Sequence, residues 1–186
     1  MNKRDPQVFD VYRVNTANGS VDMVLENTKK YANYLVDNKG QLRMAIASDG
    51  VNNTIYYRDN EKAEFKKVKS LNFKETLSPM AFDKENKNIY GVSNLGRDTA
   101  AAVVLNPKTG KVQKTLFQNA QNDVSGVIYS RKRKELVAAV YIDSSVQRHF
   151  FSSYYKQIFA DLSSKIPHRE LSLSSATKGE DIFVVS

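Results

Sequence analysis

Cysteine and tryptophan are absent from the 186-residue chain, and histidine occurs only twice, at His149 and His168. The lack of cysteine excludes disulfides, thiolate nucleophiles and metal sites with cysteine ligands. The two histidines lie far apart in the sequence and have no partner pattern typical of a metal site. No apolar run is long enough for a transmembrane helix, and we expect no signal peptide. We therefore expect no metal, no cofactor and no membrane-spanning segment in this chain.

Enzyme motifs are also missing. The sequence has no Gly-x-Gly-x-x-Gly, no Walker A motif and no His-Glu-x-x-His. The nearest approach to a nucleophile elbow surrounds Ser93, but Leu95 stands where the elbow requires a second glycine. We therefore predict no catalytic residue in this chain.

The chain carries a formal net charge of +8, which permits nucleic acid or an anionic membrane as a partner. Its 28 lysines and arginines are nevertheless spread along the sequence, and only positions 131–134 form a basic run. That run lies between the apolar stretches Val124–Tyr129 and Leu136–Tyr141. We interpret it as the exposed tip of a hairpin and expect neither nucleic acid nor a membrane as partner.

Short strands separated by turns dominate the sequence, and the pattern repeats. Segments 35–45, 81–91, 128–138 and 175–184 align, with anchors at Asp37, Asp83, Ser130 and Thr177 that are 46, 47 and 47 residues apart. A period of about 40–50 residues with four short strands is typical of a β-propeller blade. One four-stranded blade cannot bury both faces, so blades stack against each other.

The sequence thus predicts an all-β fold, a β-propeller portion of about four blades with four antiparallel strands each. One blade should have strands near 33–37, 42–47, 54–58 and 64–69. The whole chain, 1–186, is expected to be a single propeller portion. Its units are a partial blade (8–27), two blades (32–71 and 78–118), a blade plus helix (123–166) and a second partial blade (169–186).

One segment departs from the strand pattern. Apolar side chains at Tyr155, Ile158, Phe159 and Leu162 share one helical face, which predicts a short helix near residues 152–165. Ser152 or Ser153 can cap its start and Pro167 can stop it. The apolar face should cover the edge of the preceding strand or pack on the next blade, and partner binding is the alternative.

The loop after Ser93 contains the two candidate substrate-binding residues, Arg97 and Asp98. In a structural interpretation, Gly96 supplies an unusual backbone angle and Arg97 or Asp98 bonds a neighbouring blade. In a functional interpretation, Arg97 projects into a cavity and holds an anionic or carbonyl group.

Several runs resemble the N-terminal propeller of bacterial prolyl-oligopeptidase-family serine peptidases, including acylaminoacyl-peptidase-like and dipeptidyl-peptidase-like members. The runs are Asn2–Asn15, Ser93–Asp98, Leu116–Asn119, Asp123–Ser130 and Arg148–Phe151. The resemblance implies a propeller that caps an α/β-hydrolase domain and restricts which peptides reach its Ser, Asp and His. This chain has no hydrolase domain, so no catalytic residue carries over. The implied partners are the parent's hydrolase domain and peptide substrates.

Two hypotheses follow. The chain is a substrate-gating propeller portion of a longer serine peptidase, or it is a stand-alone binding or scaffold module. In the second, strands Leu171–Ser175 and Ile182–Val185 join Phe9–Val14 and Val21–Leu25 in one blade, closing a four-bladed ring. The expected compartment is the cytoplasm, or the periplasm if the parent carries an upstream signal peptide.

Overall fold

A computed structural model describes residues 1–186 and contains fifteen β-strands and one α-helix. In chain order the elements are β1 (Val11–Val14), β2 (Val21–Leu25), β3 (Tyr31–Val36), β4 (Leu42–Ser48), β5 (Asn53–Tyr57), β6 (Lys66–Leu71), β7 (Leu77–Phe82), β8 (Ile89–Ser93), β9 (Ala101–Leu105), β10 (Val112–Phe117), β11 (Val124–Ser130), β12 (Glu135–Ile142), β13 (Val146–Phe150), α1 (Ser153–Lys165), β14 (Leu173–Ala176) and β15 (Phe183–Val185). The fold is all-β with one short helix, as the sequence predicts.

All strand pairs are antiparallel and join neighbours in the sequence. Two sheets have four strands, in the orders β3-β4-β5-β6 and β10-β9-β8-β7. A third sheet has three strands, β11-β12-β13, and β1-β2 and β14-β15 form two-stranded sheets. The β3–β6 sheet confirms the four strands that the sequence places near 33–37, 42–47, 54–58 and 64–69. These consecutive meanders are consistent with an open portion of a β-propeller.

The terminal hairpins do not share a blade. β1 pairs with β2, and β14 pairs with β15, each in its own two-stranded sheet. The four-stranded closing blade of the ring hypothesis is therefore not formed.

The repeat anchors explain why the sequence repeats. Each one is the last residue of a strand or the first residue after it, and its side chain accepts hydrogen bonds from the backbone of the turn that follows. Asp37 Oδ1 accepts from the N–H groups of Lys39 and Gln41 at 2.8 and 3.0 Å. Asp83 Oδ1 accepts from the N–H of Lys87 at 2.8 Å. A short side chain with an acceptor oxygen at this position satisfies N–H groups that the strands leave unpaired.

Ser130 and Thr177 do the same with hydroxyl groups. Ser130 Oγ accepts from the N–H of Arg133 at 3.0 Å, and Thr177 Oγ1 accepts from the N–H of Ile182 at 3.4 Å. Each of the four turns also contains one residue in the left-handed region: Gly40, Asn86, Lys134 and Glu180, with φ between 50° and 74°. The shared turn geometry thus requires the residue types that produce the sequence repeat.

The chain divides into two compact units. The first contains residues 1–75 and 107–110. Its core lies in the β3–β6 sheet, where Leu42, Met44 and Ile55 are at most 3% exposed. The buried start of β4 includes the charged Arg43, which is paired with Asp37 at 2.9 Å. A buried charge is tolerated when it is paired and hydrogen-bonded.

The second unit contains residues 76–106 and 111–186. In it, the β7–β10 sheet packs face to face against the β11–β13 sheet. The contact includes Val92, Ala102, Val124 and Ala139, with the half-buried Phe117 beside them. Small side chains on both faces let the two sheets approach closely, as stacked blades require.

The helix α1 follows β13 and replaces the fourth strand of its sheet. It begins after Ser152, whose hydroxyl donates to Glu135 Oε1 at 3.0 Å instead of capping the helix, and its last residue is Lys165. Phe159 contacts Phe150 of β13 with ring centroids 5.3 Å apart. The expected packing of the apolar face on its own sheet is confirmed. With 13 residues, α1 is too short to span a membrane, and the structure has no other helix.

We expect Phe159→Ala to lower the unfolding free energy by about 2 kcal/mol, because the ring is only half-buried. The midpoint of a thermal melt should fall by about 4–8 °C for a chain of this size. Phe73, which is 75% exposed, offers a control, since Phe73→Ala should leave the midpoint unchanged. Equal midpoints for Phe159→Ala and the parent chain would show that the helix does not pack on the sheet.

Candidate functional site

The sequence-predicted site residues lie in the loop between β8 and β9. Arg97 is half-buried, and its Nη1 donates to Thr115 Oγ1 on β10 at 3.1 Å. Asp98 is exposed. Gly96 has φ +70°, the left-handed angle expected of it. The one side-chain hydrogen bond described for Arg97 thus stays within its own sheet.

The residues that a hydrolase would need are not assembled here. Ser93 is fully buried, and its Oγ accepts from the N–H of Leu95 at 3.2 Å. His149 stacks on Phe117 at 4.2 Å, while His168 lies in the loop after α1. No group of three or more His, Asp or Glu residues is arranged to hold a metal ion.

A different set of side chains surrounds a cavity of about 230 Å³ in the second unit. The cavity lies between the β11–β13 sheet, α1 and the β14–β15 hairpin. Its apolar walls include Ile128, Val137, Phe159, Leu173 and Phe183. The sequence brings these elements together because Val137 and Tyr155 form one buried cluster with partly buried Leu173 and Phe183.

Arg148 is the cationic residue of this cavity. Its Nη2 donates to the carbonyl oxygen of Leu171 at 2.8 Å, and its guanidinium lies 4.7 Å from the centre of the Phe159 ring. Its Nε is buried and has no hydrogen-bond partner. Burial lowers the pKa of Arg148, although the nearby Glu170 carboxylate acts in the opposite direction.

Glu180 closes one side of the same cavity. Its Oε2 accepts from Ser130 Oγ at 2.6 Å and from Tyr155 Oη at 2.8 Å. This carboxylate joins the β14–β15 turn to β11 and α1. Burial raises the pKa of Glu180, but the hydrogen bonds from Ser130 and Tyr155 outweigh it, and the net shift is downward.

The pKa of the Tyr155 hydroxyl, in contrast, is shifted upward. Burial, and next its hydrogen bond to Glu180, raise the pKa of Tyr155 to about 12, from an ordinary value of 10. The native state therefore keeps this proton at pH values where the unfolded chain has lost it. The associated stability is fully present below about pH 10 and is lost as the pH rises towards 12.

We therefore expect the unfolding free energy to fall between pH 10 and 12. Tyr155→Phe should weaken this fall, since phenylalanine has no proton to lose, and should lower stability at neutral pH through loss of the bond to Glu180. Urea denaturation of both proteins at several pH values measures the effect. The Tyr154→Phe variant is the control, because the Tyr154 hydroxyl is exposed and donates to a backbone carbonyl. An identical alkaline slope for Tyr155→Phe and the parent chain would contradict the assignment.

A larger cleft of about 900 Å³ adjoins the basic run at 131–134. The run forms the exposed turn between β11 and β12, as the sequence predicts. It also contacts the rest of the unit: Arg133 stacks 3.9 Å from the Tyr154 ring centre, and Lys132 Nζ donates to the carbonyl of Gly179. The run therefore helps to hold the β14–β15 turn in place.

The sequence shows similarity to peptidases. It is 28% identical over 130 residues to dipeptidyl aminopeptidase BIII of Pseudoxanthomonas mexicana, covering 69% of this chain and 19% of that protein. It is 26% identical over 149 residues to dipeptidyl peptidase family member 6 of Caenorhabditis elegans, covering 74% of this chain and 20% of that protein. The chain is thus similar to a part of each of these two peptidases.

The chain spans about a fifth of the length of the curated relatives it matches. No protein-family model matches the sequence, and no solved structure matches it.

Sequence reasoning missed the residues around the 230 Å³ cavity. Arg148 and Glu180 lie in separate repeat units, and nothing in their local sequence marks them as neighbours of one cavity. The available signal was the helix: a segment that replaces a strand leaves a gap beside its sheet, and Arg148 of the preceding strand lines the cavity there.

Proposed function

We propose that the chain is a non-catalytic β-propeller portion of a prolyl-oligopeptidase-family serine peptidase and restricts the access of peptides to its active site. The observation that carries the proposal is the similarity to two dipeptidyl peptidases across about seven tenths of this chain but a fifth of theirs. The chain matches only a small share of each peptidase, and its one elbow-like serine, Ser93, is buried. Both facts fit a domain that does not contain the catalytic residues. The parent's activity would be peptide hydrolysis.

The proposed partners are the α/β-hydrolase domain of the parent and its peptide substrates. The blades of a propeller surround a central channel. In the proposed function, the width of this channel limits the size of the peptides that pass through it. Arg97 and Asp98 are proposed to contact substrate from the loop after β8. We propose the cytoplasm as the compartment of the parent.

The experiment begins with the reading frame that encodes the chain and continues with its full-length product. We expect the frame to encode a Gly-x-Ser-x-Gly hydrolase domain, and the product to cleave short chromogenic peptides in preference to long ones. Arg97→Ala should raise KM more than it lowers kcat, whereas Lys84→Ala, at an exposed turn of the same sheet, should change neither. A full-length product without peptidase activity would overturn the proposal.

The alternative is a stand-alone binding or scaffold module. The 230 Å³ and 900 Å³ cavities of the second unit favour it, because ligand sites are concave and combine apolar walls with a few polar groups. A reading frame that encodes no hydrolase domain would favour this alternative.

A further inference from the structure

We propose that the 230 Å³ cavity beside α1 binds a small carboxylate with an apolar body, and that Arg148 holds the carboxylate. The inference is independent of the peptidase proposal, because it concerns a site formed wholly by this chain. It starts from Arg148, the cationic side chain that lines the cavity, because its guanidinium forms no ion pair. A partly buried cation is stabilised by pairing, so an arginine without an ion pair in an apolar wall favours an anionic ligand.

The charge of Arg148 defines the head group of the ligand. No ion pair is formed by this guanidinium: its one side-chain hydrogen bond goes to the neutral carbonyl of Leu171, and its face is covered by Phe159. A half-buried guanidinium without an anionic partner favours a ligand that supplies one, and carboxylate oxygens match its planar donors.

The two acidic residues nearby are already engaged. Glu180 accepts from Ser130 and Tyr155, and Glu170 Oε2 accepts from the N–H of Val146 at 3.5 Å. Neither forms an ion pair with Arg148, so the remaining Nη donors of its guanidinium are available to a ligand. The negative charges of Glu170 and Glu180 also disfavour a ligand with more than one negative charge. This favours a monocarboxylate over a phosphate.

The walls define the rest of the ligand. They are aliphatic and aromatic: Ile128, Val137, Leu173 and Phe183 line the cavity together with Phe159. A dry cavity of about 150 Å³ is enough for benzene. A volume of about 230 Å³ therefore accommodates one aromatic ring with a short chain that ends in a carboxylate. Free aromatic acids and the C-terminal residue of a peptide share this chemistry.

Isothermal titration calorimetry on the purified chain tests the proposal with four probes. 3-Phenylpropionate should bind saturably with one site per chain, whereas 3-phenylpropionamide and acetate should bind at least tenfold more weakly, lacking the charge and the ring respectively. The peptide Ala-Ala-Phe distinguishes a free acid from a peptide terminus. Equal affinity for the acid and its amide, or no saturable binding of 3-phenylpropionate, would overturn the proposal.

A pair of variants locates the head group. Arg148→Met keeps an apolar stem of similar length and should weaken binding of 3-phenylpropionate at least tenfold. Arg169→Met is the matched control, because Arg169 is exposed and does not line the 230 Å³ cavity, although it shares a neighbouring cavity of about 380 Å³ with Arg148. It should leave the affinity unchanged. Unchanged binding in a folded Arg148→Met, or loss in Arg169→Met, would contradict the assignment.

A measurement on the parent chain keeps the proposal testable if Arg148→Met does not fold. In methyl NMR spectra, 3-phenylpropionate should shift the signals of Val137 and Leu173, which line the cavity, and not those of Leu42 in the other unit. Ligand-induced shifts that leave both cavity residues unaffected would place the binding elsewhere and reject the site.

Discussion

Asp37→Ala should lower the unfolding free energy of the chain by about 3–5 kcal/mol, the range measured when one partner of a buried ion pair is removed. The Asp37 side chain is 1% exposed and that of Arg43 is 10% exposed. Asp37 Oδ2 accepts from Arg43 Nη1, while Oδ1 accepts from two backbone N–H groups of the turn. Alanine would leave a buried cation and two turn N–H groups without these acceptors.

Two further variants separate the charge from the turn. Asp37→Asn retains an oxygen for the backbone N–H groups but loses the negative charge, and should cost about 1.5–3 kcal/mol. Asp83→Ala removes the same anchor from the β7–β8 turn, where the carboxylate accepts from Lys87 N–H and Asn88 Nδ2. It should cost less than Asp37→Ala.

Urea denaturation followed by circular dichroism measures all three variants. A loss below about 1 kcal/mol for Asp37→Ala would show that the ion pair and the turn anchor do not stabilise the β3–β6 sheet. Such a small loss is typical of exposed ion pairs, which contribute about 0–1 kcal/mol.

The turns could be predicted from the sequence because their chemistry is local. Asp37 contacts residues within six positions of itself, so the pattern that specifies the turn is contained in one short segment. Four copies of the segment reveal the repeat without any knowledge of long-range contacts. The strand pairs followed, since sheets built from consecutive hairpins place sequence neighbours side by side.

Strand ends were less predictable where side chains compete for the backbone. A strand was expected to begin near residue 8 or 9, but β1 begins at Val11. The carboxylate of Asp10 accepts from the Arg4 side chain and from the N–H of Asn27, and Phe9 is 62% exposed. These contacts hold the segment before Val11 outside the sheet.

The candidate cavity could not be predicted, because its contacts join residues that are far apart in the sequence. Ser130 and Glu180 are hydrogen-bonded although they are fifty positions apart, and Arg148 bonds Leu171 across the whole of α1. Such pairs depend on how the helix and the last hairpin pack, and periodicity carries no information about that. The loop that contains Arg97, in contrast, could be predicted, because the adjacent Gly96 is a residue type typical of loops.

Gly91→Ala should lower the unfolding free energy by about 3 kcal/mol, at the upper end of the range for overpacking. Gly91 lies in the central strand β8, opposite Pro79 of β7. A Cβ atom at this position would lie 2.3 Å from the carbonyl oxygen of Ser78 and 3.3 Å from Leu105 Cδ1. The first distance is far below van der Waals contact, and the atom concerned belongs to the backbone.

Relief of this clash requires β7 to move away from β8, which would strain the ladder bonds beside the bulge between Pro79 and Ala81. The melting midpoint should fall by about 6–12 °C for a chain of this size. The matched control is Gly126→Ala in β11, where the nearest atom to a new Cβ is Met80 Cε at 3.5 Å. Ordinary contact with a flexible side chain should change the midpoint little. Equal midpoints for the two variants would show that the close approach of β7 and β8 does not depend on glycine. The outcome also bears on function, since β8 leads directly to the loop that presents Arg97 and Asp98.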